Sequence, residues 1–361
     1  MTASHGYDEV GLPCMLMRGG TSKGAYFLAQ DLPADRAERD GLLLRIMGSP
    51  DPRQIDGIGG AHPLTSKVAV VSASDDPGAD VDYLFLQIGV DAPVVSDAQN
   101  CGNLLAGVGP FAIERGLVKP GDGETPVRIR MLNTGQLATA TILSPGGRVQ
   151  YAGDADLPGV PGTAAPIVLE FGAPDTLLPT GQVSDIVDGT RVTCIDAGMP
   201  VVLLDAQDFD VTGRESPQEL EANAELATRI ARIRRAALPL MGLDPATATT
   251  VPKLALISPP QNGGTVSTRT FIPVRCHTAI GALAGVSVSA GLLLDGAVGL
   301  RHAKLPPTGE PLRLEHPTGH LDVAVDLDPA ADPPRLRRSG VVRTARKLFD
   351  GIVYPGPART Q

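Results

Sequence analysis

From Leu104 to Val118 the chain reads LLAGVGPFAIERGLV, an apolar, glycine-rich run that suits a buried helix better than a solvated one. A buried helix requires other elements wrapped around it. A polar, turn-prone lead of Ser96, Asp97, Gln99 and Asn100 delivers Cys101 to its head. There the unpaired N–H groups and the helix dipole favour a thiolate, or the carboxylate of a ligand. Plain packing of a free cysteine is the competing reading.

A second stretch, residues 271 to 298 (FIPVRCHTAIGALAGVSVSAGLLLDGAV), echoes the first. Polar or charged residues again lead into a helix of Gly, Ala and Leu that ends in a turn. The echo predicts two related halves, each with a buried helix whose N-terminus faces the other across a cleft. The length of 361 residues suits two domains, and residues 172 to 189 hold the expected boundary. Gly at 42 and Pro at 33 predict many turns and a β-rich chain.

The net charge of −9 argues against nucleic acid as a partner. It leaves room for an acidic small molecule if cations gather locally. Cys14, Cys101, Cys194 and Cys276 are scattered without CxxC spacing, which points to a reducing cytoplasm and to neither a disulfide framework nor a metal site. No secretory leader and no run of ~18 apolar residues is present, so cytoplasmic location without membrane association is expected.

In chain order, Leu12 to Met17 breaks into RGGTSKG at 18 to 24, where glycine N–H groups, two hydroxyls and Lys23 share one turn. Such a turn can hold a carboxylate or phosphate, although an ordinary solvated β-turn has the same composition. A helix is predicted over 36–47, ended by Gly48 and Pro50. A Gly-rich loop then runs through Thr65, Ser66 and Lys67 into a strand, Val68 to Val71. A lysine at the mouth of a buried strand is unusual unless it snorkels to solvent. Further strands are predicted at 81–90, 127–131, 138–143, 167–171, 191–196 and 321–327. GVGPFA imitates a dinucleotide fingerprint but lacks the preceding strand and contains Pro110. Ser216, Pro217 and Glu219 form a capping box for a helix to about Met241, with Leu226, Ile230, Ile233 and Ala237 on its buried face.

Two thiols on opposite sides of a cleft would make a racemase. However, Cys101 and Cys276 lie at different distances from the Ala-Gly pairs of their helices, so Lys67 is the better partner for Cys101. A neutral lysine could take a proton from carbon beside a conjugated carbonyl, and a thiol could return one elsewhere on the allylic system. Glycine N–H groups, Arg18, Arg275 and the helix ends are candidates to hold the charge of the dienolate.

The motifs RGGTSKG, GG…TSKVAVVS (59 to 72), NCGN (100 to 103), HPTG (316 to 319) and RTARKLFDG (343 to 351) together resemble the PrpF family of isomerases. The resemblance implies a diaminopimelate-epimerase-like α/β (α+β) fold. Its two similar domains, 1–180 and 181–361, would each curl a mostly antiparallel sheet around a central helix, with the last strand returning to the first domain. It implies Lys67 and Cys101 as catalytic residues. Gly20, Thr21, Ser22, Ser66, Asn100 and Gly102 would form the carboxylate-holding loops, and Arg275, His277 and Thr278 the polar lead of the second helix. It also implies catalysis without metal or cofactor on a small polycarboxylate, with a homodimer as a further expectation. The compact length and RCHTAIG are most similar to the branch acting on oxalomesaconate in protocatechuate and gallate 4,5-cleavage catabolism. Isomerisation of 2-methylaconitate and epimerisation of an amino or hydroxy acid are the alternatives.

Overall fold

The computed structural model describes residues 10–172, 176–245, 251–272 and 275–357. Residues 273 and 274 of the second helix lead therefore lie outside the described residues. The first half of the chain forms strands β1 (Leu12–Gly19), β2 (Ser22–Leu28), β3 (Lys67–Ala73), β4 (Val81–Ile88), β5 (Val95–Ser96), β6 (Gly123–Met131) and β7 (Leu137–Ser144). A two-stranded ribbon, β8 (Ala155–Asp156) and β9 (Thr163–Ala164), precedes β10 (Pro166–Phe171). Helices α1 (Arg36–Met47) and α2 (Gly102–Glu114) complete this half.

The second half holds β11 (Asp185–Val187), β12 (Thr190–Asp196), β13 (Pro200–Asp205), β14 (Lys253–Ser258), β15 (Val266–Ile272), β16 (Arg275–Cys276), β17 (Leu312–His316), β18 (Gly319–Asp328) and β19 (Arg335–Val353). Its helices are α3 (Pro217–Ala222), α4 (Ala224–Leu240) and α5 (Ala282–Leu292).

Hydrogen bonding closes eight strands into a ring, β1–β2–β3–β4–β6–β7–β10–β19 and back to β1. Helix α2 threads this ring and packs against seven of its strands. All twelve residues from Gly102 to Ile113 are buried, so an apolar surface all round the helix is satisfied by sheet all round it. The second half runs β12–β13–β14–β15–β17–β18–β19 around α5, whose eleven residues are likewise buried. The result is a mixed α/β fold with a barrel-like, sheet-dominated core. Strand β19 belongs to both parts: Arg335–Val341 pairs with β18, while Ala345–Val353 pairs with β1. One buried cluster runs through both helices, from Met15 and Phe111 to Leu203 and Val286.

Helix α1 has the predicted bounds, because Asp35 accepts from the Glu38 N–H at its start and Gly48 adopts φ +77 at its end. The helix predicted from Ser216 to about Met241 is in fact two. The Ser216–Glu219 box is present, but the chain breaks at Asn223, whose side chain accepts from the Leu226 N–H and starts α4 afresh. Helix α2 begins two residues before Leu104 and stops at Glu114, short of the predicted Val118. Among the described residues no helix is long and apolar enough to cross a membrane.

Candidate active site

The N-termini of the two enclosed helices meet. A Cβ placed on Gly102 would lie 3.0 Å from the Ala282 Cβ, so any larger side chain would push the two helices apart. Neither helix start carries a side-chain cap: Cys101 is the N-cap of α2 and Gly281 that of α5. Two uncapped helix ends converging on one place create positive potential there despite the acidic chain.

Two buried tyrosines fix the start of α2. Tyr26 donates to the Leu104 carbonyl at 2.6 Å and Tyr83 to the Cys101 carbonyl at 3.3 Å. Burial pushes both phenols well above their ordinary values, so they stay neutral donors. Asn103 ties the RGGTSKG turn to the helix through Nδ2, which lies 3.0 Å from Thr21 Oγ1 and 3.4 Å from Ser22 Oγ. Gly20 sits at φ +52 with Asn103 Oδ1 2.3 Å from where a Cβ would be, so glycine is required. Arg18 donates from Nη1 to the Gly20 carbonyl and to Thr344 O and Oγ1. It holds the turn in place from behind.

Lys67 opens β3, and its antiparallel partner in register is Gln87 of β4. Its Nζ donates to Gln87 Oε1 at 2.6 Å and stands 5.0 Å from the centre of the Phe85 ring. The Gln87 amide is itself fixed, because its Nε2 donates to the carbonyls of Ser66 and Pro63. Lys67 is only 6% exposed and does not snorkel. Burial lowers its proton affinity and a Cys101 thiolate raises it, which puts the thiol within electrostatic reach of the lysine.

The expected loop residues take distinct positions. Ser66 is fully buried and its hydroxyl accepts from Gln54 Nε2 at 2.7 Å, which pins the 54–61 loop. Asn100 donates to Thr134 Oγ1 at 2.6 Å, and its Oδ1, like that of Asn103, is buried without a donor among the described residues. His277 Nδ1 accepts from the Ala279 N–H at 2.8 Å. Its pKa is pushed down to about 3 by burial and then by Lys67, Lys253, His316 and His62, which puts it within electrostatic reach of both lysines and makes it neutral. The Thr278 carbonyl accepts from Thr318 of the HPTG turn at 2.9 Å. Arg275 is exposed, at the rim near His62.

Cys276 lies elsewhere. It packs in a separate apolar cluster with Phe271 and Leu220, its N–H donates to Glu221, and burial pushes its thiol up to about 12. A two-thiol cleft is therefore absent. A broad, mainly apolar groove of about 690 Å³, lined by Val168, Leu305, Val325 and Val342, contains none of the residues above.

Sequence reasoning missed Gln87 and Lys253, and it placed Gln99 and Asn103 around Cys101 without the contacts they make to Lys253 and to Thr21. Gln87 was discoverable only through strand register, and Lys253 only by aligning the two halves strand by strand.

A buried lysine thus stands within electrostatic reach of a cysteine at two converging helix N-termini. The chain belongs to the PrpF family, whose model, described as PrpF protein, matches residues 9–355. Over 348 residues it is 55% identical to the (4E)-oxalomesaconate Delta-isomerase of Novosphingobium sp. strain KA1, covering 95% of this chain and 97% of that protein. It is 53% identical over 351 residues to the 4-oxalomesaconate tautomerase of Pseudomonas putida KT2440, covering 96% of each. Among solved structures, a crystal structure of methylitaconate-delta-isomerase superposes with a TM-score of 0.81 at 32% identity, covering 98% of this chain and 99% of that one. These relatives are named as isomerases or as a tautomerase, and the protein is an isomerase.

Proposed function

We propose that the protein is a 4-oxalomesaconate tautomerase or allylic isomerase, which moves a double bond in an unsaturated keto-tricarboxylate by a 1,3-proton shift. The observation that carries this reading is a buried Lys67, oriented by Gln87 and electrostatically linked to Cys101 at the meeting of two uncapped helix N-termini. The names of the two relatives above supply the substrate class.

In this mechanism neutral Lys67 Nζ removes a proton from the carbon beside the conjugated carbonyl. The C–H electron pair enters the π system as a dienolate. Its charge develops against the helix N-termini and the amides of the RGGTSKG turn. Cys101 Sγ then gives its proton to the far allylic carbon, leaving a C=C bond displaced by one position. An ammonium and a thiolate remain, and proton return from Lys67 to Cys101 restores the starting state. The chemistry balances without an oxidant, a metal or a cofactor.

Gly20, Thr21, Ser22, Asn100 and Gly102 line the turn and helix start that would hold carboxylates, with His277 and Thr278 completing the opposite wall. Ser66, Arg18 and Arg275 act from behind or at the rim. The unspent oxygens of Asn100 and Asn103 support a bound molecule here. We also read residues 1–180 and 181–361 as two epimerase-like domains facing each other across this site. The repeated strand order supports that division. A cytoplasmic place in protocatechuate or gallate 4,5-cleavage catabolism follows from the substrate.

The test is incubation of the purified protein with oxalomesaconate and with 2-methylaconitate in deuterated water, followed by proton NMR. Turnover and deuterium uptake with oxalomesaconate are expected. Turnover of 2-methylaconitate alone would replace the proposal with the methylaconitate reaction.

A further inference from the structure

The two halves repeat one pattern of strand pairing. In the first, β1 pairs antiparallel with β2, β2 parallel with β3, β3 antiparallel with β4, β4 parallel with β6, and β6 antiparallel with β7. The second follows the same order through β12, β13, β14, β15, β17 and β18. The short strands β5 and β16 and the helices α2 and α5 occupy matching places. Under this correspondence β3 matches β14. Each of these strands opens on a lysine, Lys67 in one and Lys253 in the other.

Lys253 is as deeply placed as its counterpart, at 4% exposed. Its Nζ donates to Gln99 Oε1 at 2.8 Å, which carries it out of its own half to the segment two residues before Cys101. The charges of Lys67, Arg234 and Cys101 all reach it, and both lysines reach His277. Two buried lysines repel each other and each loses hydration. Together with two helix N-termini, they form an excess of positive potential that a multiply charged anion offsets.

We propose that Lys253 is a second, substrate-anchoring lysine of this site, whose ammonium holds a carboxylate of a polycarboxylate substrate opposite Lys67. The assignment rests on the polycarboxylate reading above and names the residue that makes a second carboxylate necessary. Burial, Lys67 and Arg234 lower the Lys253 pKa to about 7, and an arriving carboxylate favours its charged form.

The competing role is structural: a tie from β14 to the Gln99 loop. Lys253→Gln separates the two, since it keeps an N–H donor for Gln99 and removes the charge. Titration calorimetry with tricarballylate, an unreactive tricarboxylate, is the readout. Lys253→Gln and Lys253→Met should each weaken binding about tenfold or more, and Lys253→Arg should restore most of it. With oxalomesaconate the same variants should raise KM more than they lower kcat. An unchanged tricarballylate Kd in a folded Lys253→Gln protein, or no binding to the wild type, would overturn the assignment. Absence of oxalomesaconate turnover by the wild type would instead overturn the choice of substrate and leave the calorimetry to decide on Lys253.

Discussion

The lysines of the two halves occupy the same topological place yet take their partners differently. Lys67 finds an acceptor inside its own sheet, because Gln87 stands opposite it in register. Extending the β14–β15 register by one residue puts Ile272, whose side chain is apolar, opposite Lys253. Lys253 instead donates across to Gln99 of the first half. The helix starts differ in the same sense: Cys101 occupies the N-cap position of α2, whereas Gly281 occupies that of α5. On the proposed mechanism, one half supplies the reactive pair, and the other supplies charge and a neutral wall around His277. The comparison teaches that a duplicated scaffold can divide a reaction by changing two or three side chains at equivalent positions.

The division can be broken most severely at Lys67. Lys67→Ala should cost about 10²–10⁴-fold in kcat as the loss of a general base, with Lys253 unable to substitute because its amine is aimed at Gln99. Steady-state kinetics on the folded variant would check this. Gln87→Leu should have a smaller effect, about tenfold in kcat, with a loss of roughly 1–3 kcal/mol in denaturant stability from a buried donor left unpaired.

A subtler effect concerns pH. A lysine whose pKa falls to about 7 in the folded state binds fewer protons there than in the unfolded chain between about 7 and its ordinary value of 10.5. Stability from this group therefore rises with pH across that window and is lowest below it. Lys253→Met should remove that part of the slope, so that its melting temperature gains on the wild type as pH falls from about 9 to 7. Thermal melts across that range would detect it. The smallest effect is expected away from the site: Asn223→Ala should cost about 1 kcal/mol by removing the cap of α4, with activity unchanged.

Much of this was legible in the residues, for identifiable reasons. Helix α1 was bounded by its own caps, and α2 and α5 were marked by apolar residues on every face, which fixes burial whatever surrounds them. Lys67 and Cys101 stood out because each was chemically out of place, a charge at a buried strand and a thiol at a helix start. The echo between residues 96–118 and 271–298 pointed to two halves. The helix break at Asn223 escaped notice because the periodic face of α4 continues past a residue that can both interrupt and cap. Gln87 and Lys253 escaped because their roles come from strand register and from the approach of distant segments, neither of which local sequence encodes. Cys276 was set aside on spacing, and its separate cluster gives the physical reason.

The central claim is that proton removal belongs to Lys67 and substrate anchoring to Lys253. Proton NMR in deuterated water, run on wild type, Lys67→Ala and Lys253→Met over a range of oxalomesaconate concentrations, tests it most directly. The account predicts that Lys67→Ala loses about 10²-fold or more of both deuterium uptake and isomerisation at every concentration, and that uptake by Lys253→Met recovers as substrate rises. Near wild-type uptake by Lys67→Ala, or a Lys253→Met defect that saturating substrate leaves untouched, would contradict it.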